Sequence, residues 1–234
     1  MANAITIGRV GLLFFGIWLL YSGDSTLLLI AGVIIGIVFA GDGVDGWVAR
    51  RRNSSSKLGA VLDIAGDRVV ENALWVVFAE RGQVPIWAPI LVLTRSFLVD
   101  VMRSVALSEG RTPFGEQSMM RSPMTYWLTA GRFTRVVYGW SKAIGFVFLA
   151  WLLAWNLPGS FSLEALYDER AFRMLGWTAV YTSLALCIIR GVPVVMDALP
   201  YLRQDQEPAR QRASSVAHTS RVAPAVDSEH GESV

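Results

Sequence analysis

The chain has 234 residues, of which 53% are hydrophobic and 17% are charged, and its formal net charge is +2. Soluble domains carry about 25% charged residues, so this composition predicts an integral membrane protein, and the small net charge does not favour nucleic-acid binding. A single cysteine, Cys187, excludes a disulfide framework, and both histidines, His218 and His230, lie in a polar tail, so the apolar body has no His-ligated metal and no Ser–His hydrolysis.

Six apolar runs of membrane-spanning length follow one another along the chain, since about 17–25 apolar residues suffice for a helix to cross the hydrocarbon core. The predicted spans are residues 5–21, 26–48, 58–78, 84–105, 136–157 and 174–196. They predict an all-α integral membrane protein with six transmembrane helices in one bundle, covering residues 1–200. Residues 201–234 are polar and mixed in charge, which is typical of a disordered tail.

Basic residues are concentrated in two connections between these runs. They are Arg50, Arg51, Arg52 and Lys57 after the second run, and Arg111, Arg121, Arg132 and Arg135 after the fourth. Because cytoplasmic loops carry the excess of Lys and Arg, both termini are predicted to lie in the cytoplasm. Residues 118–140 also contain aromatic side chains, and either an interfacial helix or an ordered loop fits this segment.

Four aspartates lie next to or inside the second and third apolar runs, where ionisable residues are costly and usually functional. Asp42 and Asp45 are three residues apart and Asp63 and Asp67 are four apart, so each pair shares one helix face. The connection between the two runs is short, which predicts antiparallel neighbouring helices. Both pairs are then expected to converge at the cytoplasmic end of the bundle.

Four carboxylates in one small volume cannot all stay ionised without a counter-charge. An all-oxygen site favours Mg²⁺, Mn²⁺ or Ca²⁺, and two such ions could clamp an in-line phosphoryl displacement. The small residues Gly46, Ala49 and Gly59 leave room on the same faces, and Arg50 can neutralise a phosphate. The pattern therefore indicates phosphoryl transfer that depends on Mg²⁺ or Mn²⁺, with two ions expected.

Residues 42–67 match the pattern D-x2-D-G-x2-A-R-x8-G-x3-D-x3-D without departure. In this the chain resembles the CDP-alcohol phosphotransferase family. The resemblance implies six transmembrane helices, usually a homodimer, and transfer of a phosphoalcohol from a CDP-linked donor with loss of CMP. It also implies that Asp42, Asp45 and Asp63 ligate metal, and that Asp67 is the general base and a candidate metal ligand.

The same resemblance places Gly46, Ala49, Arg50 and Gly59 at the cytidine and phosphate site of the donor. The donor is then expected to be CDP-diacylglycerol, taken from the cytoplasmic leaflet of the cell membrane. No residue is a candidate for a covalent intermediate, so a single displacement is expected.

Basic residues of the fourth and fifth runs are the candidates for binding the acceptor. The candidates are Arg95, Arg132, Arg135 and Lys142. If they face the aspartates, they could bind the phosphate of an acceptor such as glycerol 3-phosphate. The alternative is that some of them set the topology or reach to lipid headgroups.

The first half of the chain resembles bacterial phosphatidylglycerophosphate synthases. The similarity lies in Asn3-x2-Thr6-x2-Arg9, in residues 79–83, in Arg95-x-Phe97-Leu98-Val99-x3-Arg103 and in Gly110. The chain departs from these enzymes at Ser96, where they usually have Glu, at Ile64, where they usually have Pro, and at Arg68, where they usually have Lys. The departures leave inositol phosphate or another phosphopolyol open as acceptor.

Three polar residues outside the motif also have predicted roles. Glu71 and Asn72 either extend the site or tie helices together, and the tie is favoured. Asp100 lies between two arginines of the fourth run and is predicted to pair with Arg103.

Other interpretations of the aspartate region explain fewer residues. Gly41-x-Gly43-x-x-Gly46 fits the dinucleotide-binding fingerprint, but that fingerprint follows a strand and here a long apolar run precedes it. A divalent-cation transporter would use the acids but would not need Arg50 or the small residues. A lipid-binding scaffold without activity would not need the intact motif.

Overall fold

The computed structural model describes residues 2–52, 57–108, 131–157 and 167–204, and within these ranges it leaves some side chains undescribed, among them those of 42–52, Arg103 and Arg132. This part of the chain is all-α and contains no strand. Its six long helices are α1 (Ala2–Leu20), α2 (Ser25–Arg52), α3 (Lys57–Glu80), α4 (Trp87–Ser108), α5 (Arg132–Trp155) and α6 (Arg170–Gln204). Each helix coincides with one of the six predicted runs. This confirms the prediction of an all-α chain for the described residues.

Two predicted features fall wholly or largely outside the described residues. The segment proposed as an interfacial helix or loop overlaps residues 109–130, and the predicted tail overlaps residues 205–234. Helix α5 begins at Arg132, four residues before the predicted start of the fifth run. Arg132 and Arg135 therefore lie in the first turn of a helix.

Helix α1 packs against both α2 and α3, the two helices that carry the aspartate motif. Glycines make this close approach possible, because a methyl group at Gly66 would lie 2.9 Å from Cγ2 of Thr6. The sequence predicted α2 and α3 as direct neighbours. Among the described residues, α2 and α3 are joined mainly through α1. Helix α1 fits against both because small side chains on α2 and α3 leave room for it.

The core is built around aromatic side chains of α5. The ring of Phe146 lies 5.6 Å from Phe39 of α2 and 5.1 Å from Trp75 of α3, centroid to centroid, and Phe78 stacks on it as well. Helix α6 packs against α5 and α4, and α4 packs against α3. The bundle therefore surrounds α5 with α2, α3 and α6.

Large apolar side chains also cover the outer surface of the bundle. Trp18, Phe97 and Trp140 are each about two-thirds exposed, and two helical segments, Phe133–Trp155 and Arg170–Pro193, are long and apolar enough to cross a membrane. Two other apolar stretches, Thr6–Leu20 and Ser25–Gly41, are shorter. An apolar outer surface of this extent is expected of a bundle that faces lipid.

The end of the bundle opposite the aspartates is closed by polar contacts of tyrosines. The Tyr21 hydroxyl donates to Glu80 at 2.7 Å, which ties the α1–α2 turn to the end of α3. The buried Tyr167 hydroxyl donates to the carbonyl oxygen of Phe148 at 2.8 Å. Burial raises the pKa of Tyr167 well above its usual value, so this hydroxyl stays protonated and remains a donor.

Candidate active site

The aspartate motif occupies the ends of α2 and α3 that lie next to each other in sequence. Asp42 and Asp45 are on the last turns of α2, together with Gly46, Ala49 and Arg50, and Gly59, Asp63 and Asp67 are on the first turns of α3. The helical spacing assumed for both pairs is thus present in the backbone. The side chains of the α2 residues lie outside the described part, whereas those of Asp63 and Asp67 are partly exposed.

Arg9 of α1 contacts both described aspartates. Its Nη2 lies 2.5 Å from Oδ1 of Asp67 and 3.9 Å from Oδ1 of Asp63, and its side chain is only 4% exposed. Sequence analysis placed Arg9 in a resemblance pattern but not in the site. The signal that could have identified it is an arginine inside an apolar run, because such a charge needs an acidic partner.

A second polar cluster begins one turn further along α3, at Glu71. This carboxylate accepts hydrogen bonds from the Tyr138 hydroxyl and, at 3.1 Å, from Nζ of Lys142, both on α5. Lys142 Nζ also lies 4.3 Å from the centroid of the Tyr138 ring. Glu71 is buried, and Lys142 matches its charge inside the bundle. The predicted helix tie through Glu71 is confirmed.

A cavity of about 700 Å³ opens between α1, α2, α3 and α5. Its lining is Arg9, Gly36, Val38, Phe39, Ala40, Asp67, Val70, Arg135, Val136, Gly139, Trp140, Lys142 and Ala143. The candidate base Asp67 and two of the candidate acceptor residues, Arg135 and Lys142, therefore face one space. Four of these thirteen residues are charged and the rest are apolar or glycine, which suits a ligand with a phosphate and a lipid part.

The remaining basic candidates are placed differently. Arg95 of α4 packs against α6, where a methyl group at Gly191 would lie 2.6 Å from its Cγ, and it is not part of the cavity lining. The side chain of Arg132 lies outside the described part. Arg190 of α6, which sequence analysis did not select, lies over the Tyr138 ring at 5.6 Å and donates to Thr134. The sequence feature that could have identified Arg190 is a basic residue within the last apolar run.

Asp100 has a described partner on the neighbouring helix, and its pairing with Arg103 stays a prediction. Arg68 of α3 donates to Asp100 at 3.0 Å and to the Ser96 hydroxyl at 3.3 Å, whereas the side chain of Arg103 is not described. Helix rotation decides this pairing, because the face of α4 that holds Ser96 and Asp100 packs on α3. Two departures from the synthase pattern, at positions 68 and 96, thus contact each other at a helix interface outside the cavity lining.

The described carboxylates suit a hard divalent cation. Asp63 and Asp67 lie one helical turn apart and both come within 3.9 Å of one guanidinium nitrogen, so the two can share one cation. Within the residues whose side chains are described, no group of three or more acidic, His or Cys side chains forms, since Asp42 and Asp45 fall outside them. An oxygen-only donor set fits Mg²⁺ or Mn²⁺.

Comparison with known families shows the family of this chain. Residues 1–189 match the family described as CDP-alcohol phosphatidyltransferase. The chain belongs to the CDP-alcohol phosphatidyltransferase family. The match includes all of the aspartate motif and the four helices that line the cavity, α1, α2, α3 and α5, and it confirms the resemblance seen in residues 42–67.

Individual relatives of this chain differ in the product that their names imply. A Mycobacterium bovis protein, provisionally named a cardiolipin synthase, is 46% identical over 29% of this chain and 33% of its own length. A CDP-diacylglycerol–glycerol-3-phosphate 3-phosphatidyltransferase of Bacillus subtilis is 30% identical over 47% of this chain and 63% of its own. A CDP-diacylglycerol–inositol 3-phosphatidyltransferase of Arabidopsis thaliana is 43% identical over 27% of this chain and 26% of its own. The chain therefore spans less than two-thirds of each of these relatives.

Proposed function

We propose that this protein is a phospholipid-synthesis transferase that moves the phosphatidyl group of CDP-diacylglycerol to glycerol 3-phosphate and releases CMP. The observation that carries the proposal is the shared cavity, into which Asp67, Arg135 and Lys142 all project. A carboxylate that can take a proton then faces cations that can hold an acceptor phosphate. The family membership supports the reaction type.

The donor end of the site is assigned to the motif residues. Asp42, Asp45, Asp63 and Asp67 would hold two Mg²⁺ or Mn²⁺ ions, which supply charge neutralisation at the donor pyrophosphate when bound. Gly46, Ala49, Arg50 and Gly59 would line the cytidine and phosphate site, since the small residues leave space and Arg50 offers a planar cation to phosphate oxygens.

Asp67 is assigned the proton transfer. It accepts the proton of the acceptor hydroxyl as the hydroxyl oxygen forms a bond to the lipid-side phosphorus. The bond between that phosphorus and the oxygen of CMP breaks in the same step, and the electron pair leaves with CMP. Arg135 and Lys142 hold the acceptor phosphate, so that the hydroxyl is directed at the phosphorus.

The choice of acceptor rests on the positive charges of the basic residues. Arg135 is exposed at the start of α5, and Lys142 of the same helix donates to Glu71. Arg95 and Arg132 remain candidates for the same phosphate. Inositol phosphate or another polyol phosphate is the alternative acceptor, because the same cations would bind it. The family is that of the CDP-alcohol phosphatidyltransferases and one relative is named a phosphatidyltransferase, so the cation-transporter alternative gains no support from them.

A panel of acceptors tests the proposal. Purified protein with CDP-diacylglycerol and Mg²⁺ or Mn²⁺ is offered glycerol 3-phosphate, inositol 1-phosphate, glycerol, inositol and serine, and CMP release is measured. We expect glycerol 3-phosphate to be the best acceptor and EDTA to abolish turnover until excess metal is added back. A preference for free inositol or serine would contradict the phosphate pocket, and turnover in EDTA would contradict the metal site.

The membrane arrangement is also a proposal. We expect six spans in the cytoplasmic membrane, both termini and the active site on the cytoplasmic side, and a homodimer. The only native cysteine, Cys187, is buried, so labelling with an impermeant maleimide can report on engineered cysteines. In right-side-out vesicles, a cysteine at Asp24 should be labelled and one at Ser228 should not. Light scattering of the detergent-solubilised protein tests the dimer.

A further inference from the structure

Arg9 lies between the two helices that carry the aspartate motif. Its guanidinium contacts Asp67 and Asp63 of α3, and its Cδ lies 3.6 Å from the point that a methyl group at Gly41 would occupy. Gly41 directly precedes Asp42 on α2. One buried cation from α1 is therefore set against both helices of the motif, and it also lines the cavity.

Arginine keeps its positive charge at any pH that the protein experiences, so a buried guanidinium needs an anion beside it. Asp67 provides that anion in this arrangement, at 2.5 Å. The same carboxylate is a proposed metal ligand. Divalent cations bound at Asp63 and Asp67 would bring like charge within a few ångströms of Arg9, so metal and guanidinium compete for one carboxylate.

A ligand in the cavity can offer Arg9 another anion. The described side chains of the lining include one carboxylate, Asp67, and the cations Arg9, Arg135 and Lys142. The donor pyrophosphate would be the anion closest to the motif. A guanidinium binds phosphate oxygens in the same paired geometry as it binds a carboxylate.

We propose that Arg9 is a phosphate ligand for the CDP-linked donor that is held on Asp67 until metal and donor bind. This rests on the proposed function, because it assumes that the aspartates hold the metal. In the donor-free protein Arg9 weakens metal binding, and in the loaded protein it strengthens donor binding. By linkage, the presence of Arg9 makes the metal and the donor bind more cooperatively.

Two binding measurements on the full-length protein in detergent test this role. Mn²⁺ is titrated calorimetrically without nucleotide, and CDP is then titrated at saturating Mn²⁺. For Arg9→Gln we expect Mn²⁺ to bind more tightly and CDP more weakly, each by on the order of tenfold, the effect of one charge-assisted contact. A purely structural role for Arg9 would weaken both, so the opposite signs distinguish the two.

Arg81→Gln is the matched control, because Arg81 lies over the Tyr21 ring at the other end of α3 and should change neither constant. Arg9→Lys keeps the charge but replaces the guanidinium with a smaller ammonium group, and it should show both shifts at reduced size. If Arg9→Gln does not fold, Arg9→Lys provides the test of the proposed role. Mn²⁺ binding that is unchanged or weaker in the Arg9 variants overturns the proposal for Arg9 alone. Failure of the wild type to bind Mn²⁺ overturns the metal site and this inference together.

Discussion

Lys142 of α5 donates a hydrogen bond of 3.1 Å to Glu71 of α3, and both side chains are largely buried, at 16% and 5% exposure. Glu71 lies one turn beyond Asp67 on the same helix. The pair therefore connects the helix that carries the candidate base to the helix that carries the acceptor cations. The Tyr138 hydroxyl completes the set of donors to this carboxylate.

Glu71→Gln should destabilise the protein, because it leaves the Lys142 charge buried without its partner. Breaking a buried pair from one side typically costs about 3–5 kcal/mol. Thermal unfolding in detergent measures the effect, and Glu80→Gln, at an exposed carboxylate near Tyr21, is the control. The double variant Glu71→Gln/Lys142→Met should recover part of the loss. A melting temperature unchanged by Glu71→Gln would contradict the assigned ion pair.

Asp67→Asn should remove most of the turnover while leaving binding of CDP-diacylglycerol largely intact. The physical reason is that an amide cannot accept the proton, and a general base typically contributes 10²–10⁴-fold in rate. Steady-state release of CMP measures turnover, and equilibrium binding measures the affinity for CDP-diacylglycerol. Near-normal turnover would refute Asp67 as base, and loss of donor binding would assign it chiefly to the metal.

Arg135→Gln should raise the KM for glycerol 3-phosphate with little change in the KM for CDP-diacylglycerol. A charge-assisted contact contributes roughly 1.5–3 kcal/mol, which corresponds to about a 10- to 150-fold change. The neighbouring candidate Arg132→Gln should act in the same direction. Arg50→Gln serves as the converse control, since a donor ligand should raise the KM of the donor instead. Equal effects on both substrates would show that Arg135 has no selective role.

Gly32→Ala should destabilise the α2–α5 contact, because the new methyl group would lie 2.2 Å from Nε1 of Trp151. That indole nitrogen donates to the carbonyl oxygen of Leu29 at 3.1 Å, so its movement also costs a hydrogen bond. Overpacking of this kind typically costs about 1–3 kcal/mol. Gly11→Ala on α1 is the control, since nothing lies within 4 Å of its added methyl group. Equal melting temperatures for the two variants would contradict the close packing.

The sequence by itself determined the helices and the motif, because both are local properties. The length of an apolar run decides whether it can form a long buried helix, and spacings of three and four residues place Asp42 with Asp45 and Asp63 with Asp67 on single faces whatever the rest of the chain does. The family was recognisable from residues 42–67 for the same reason.

The tertiary structure alone decided which charges meet. Arg9 and Asp67 are 58 residues apart, and Lys142 and Glu71 are 71 apart. Asp100 pairs with Arg68 of the neighbouring helix. Such pairs depend on the order and rotation of the packed helices, which the glycines at the α1–α3 and α2–α5 contacts help to set. The periodicity of residues along one helix carries no information about the helix that packs beside it.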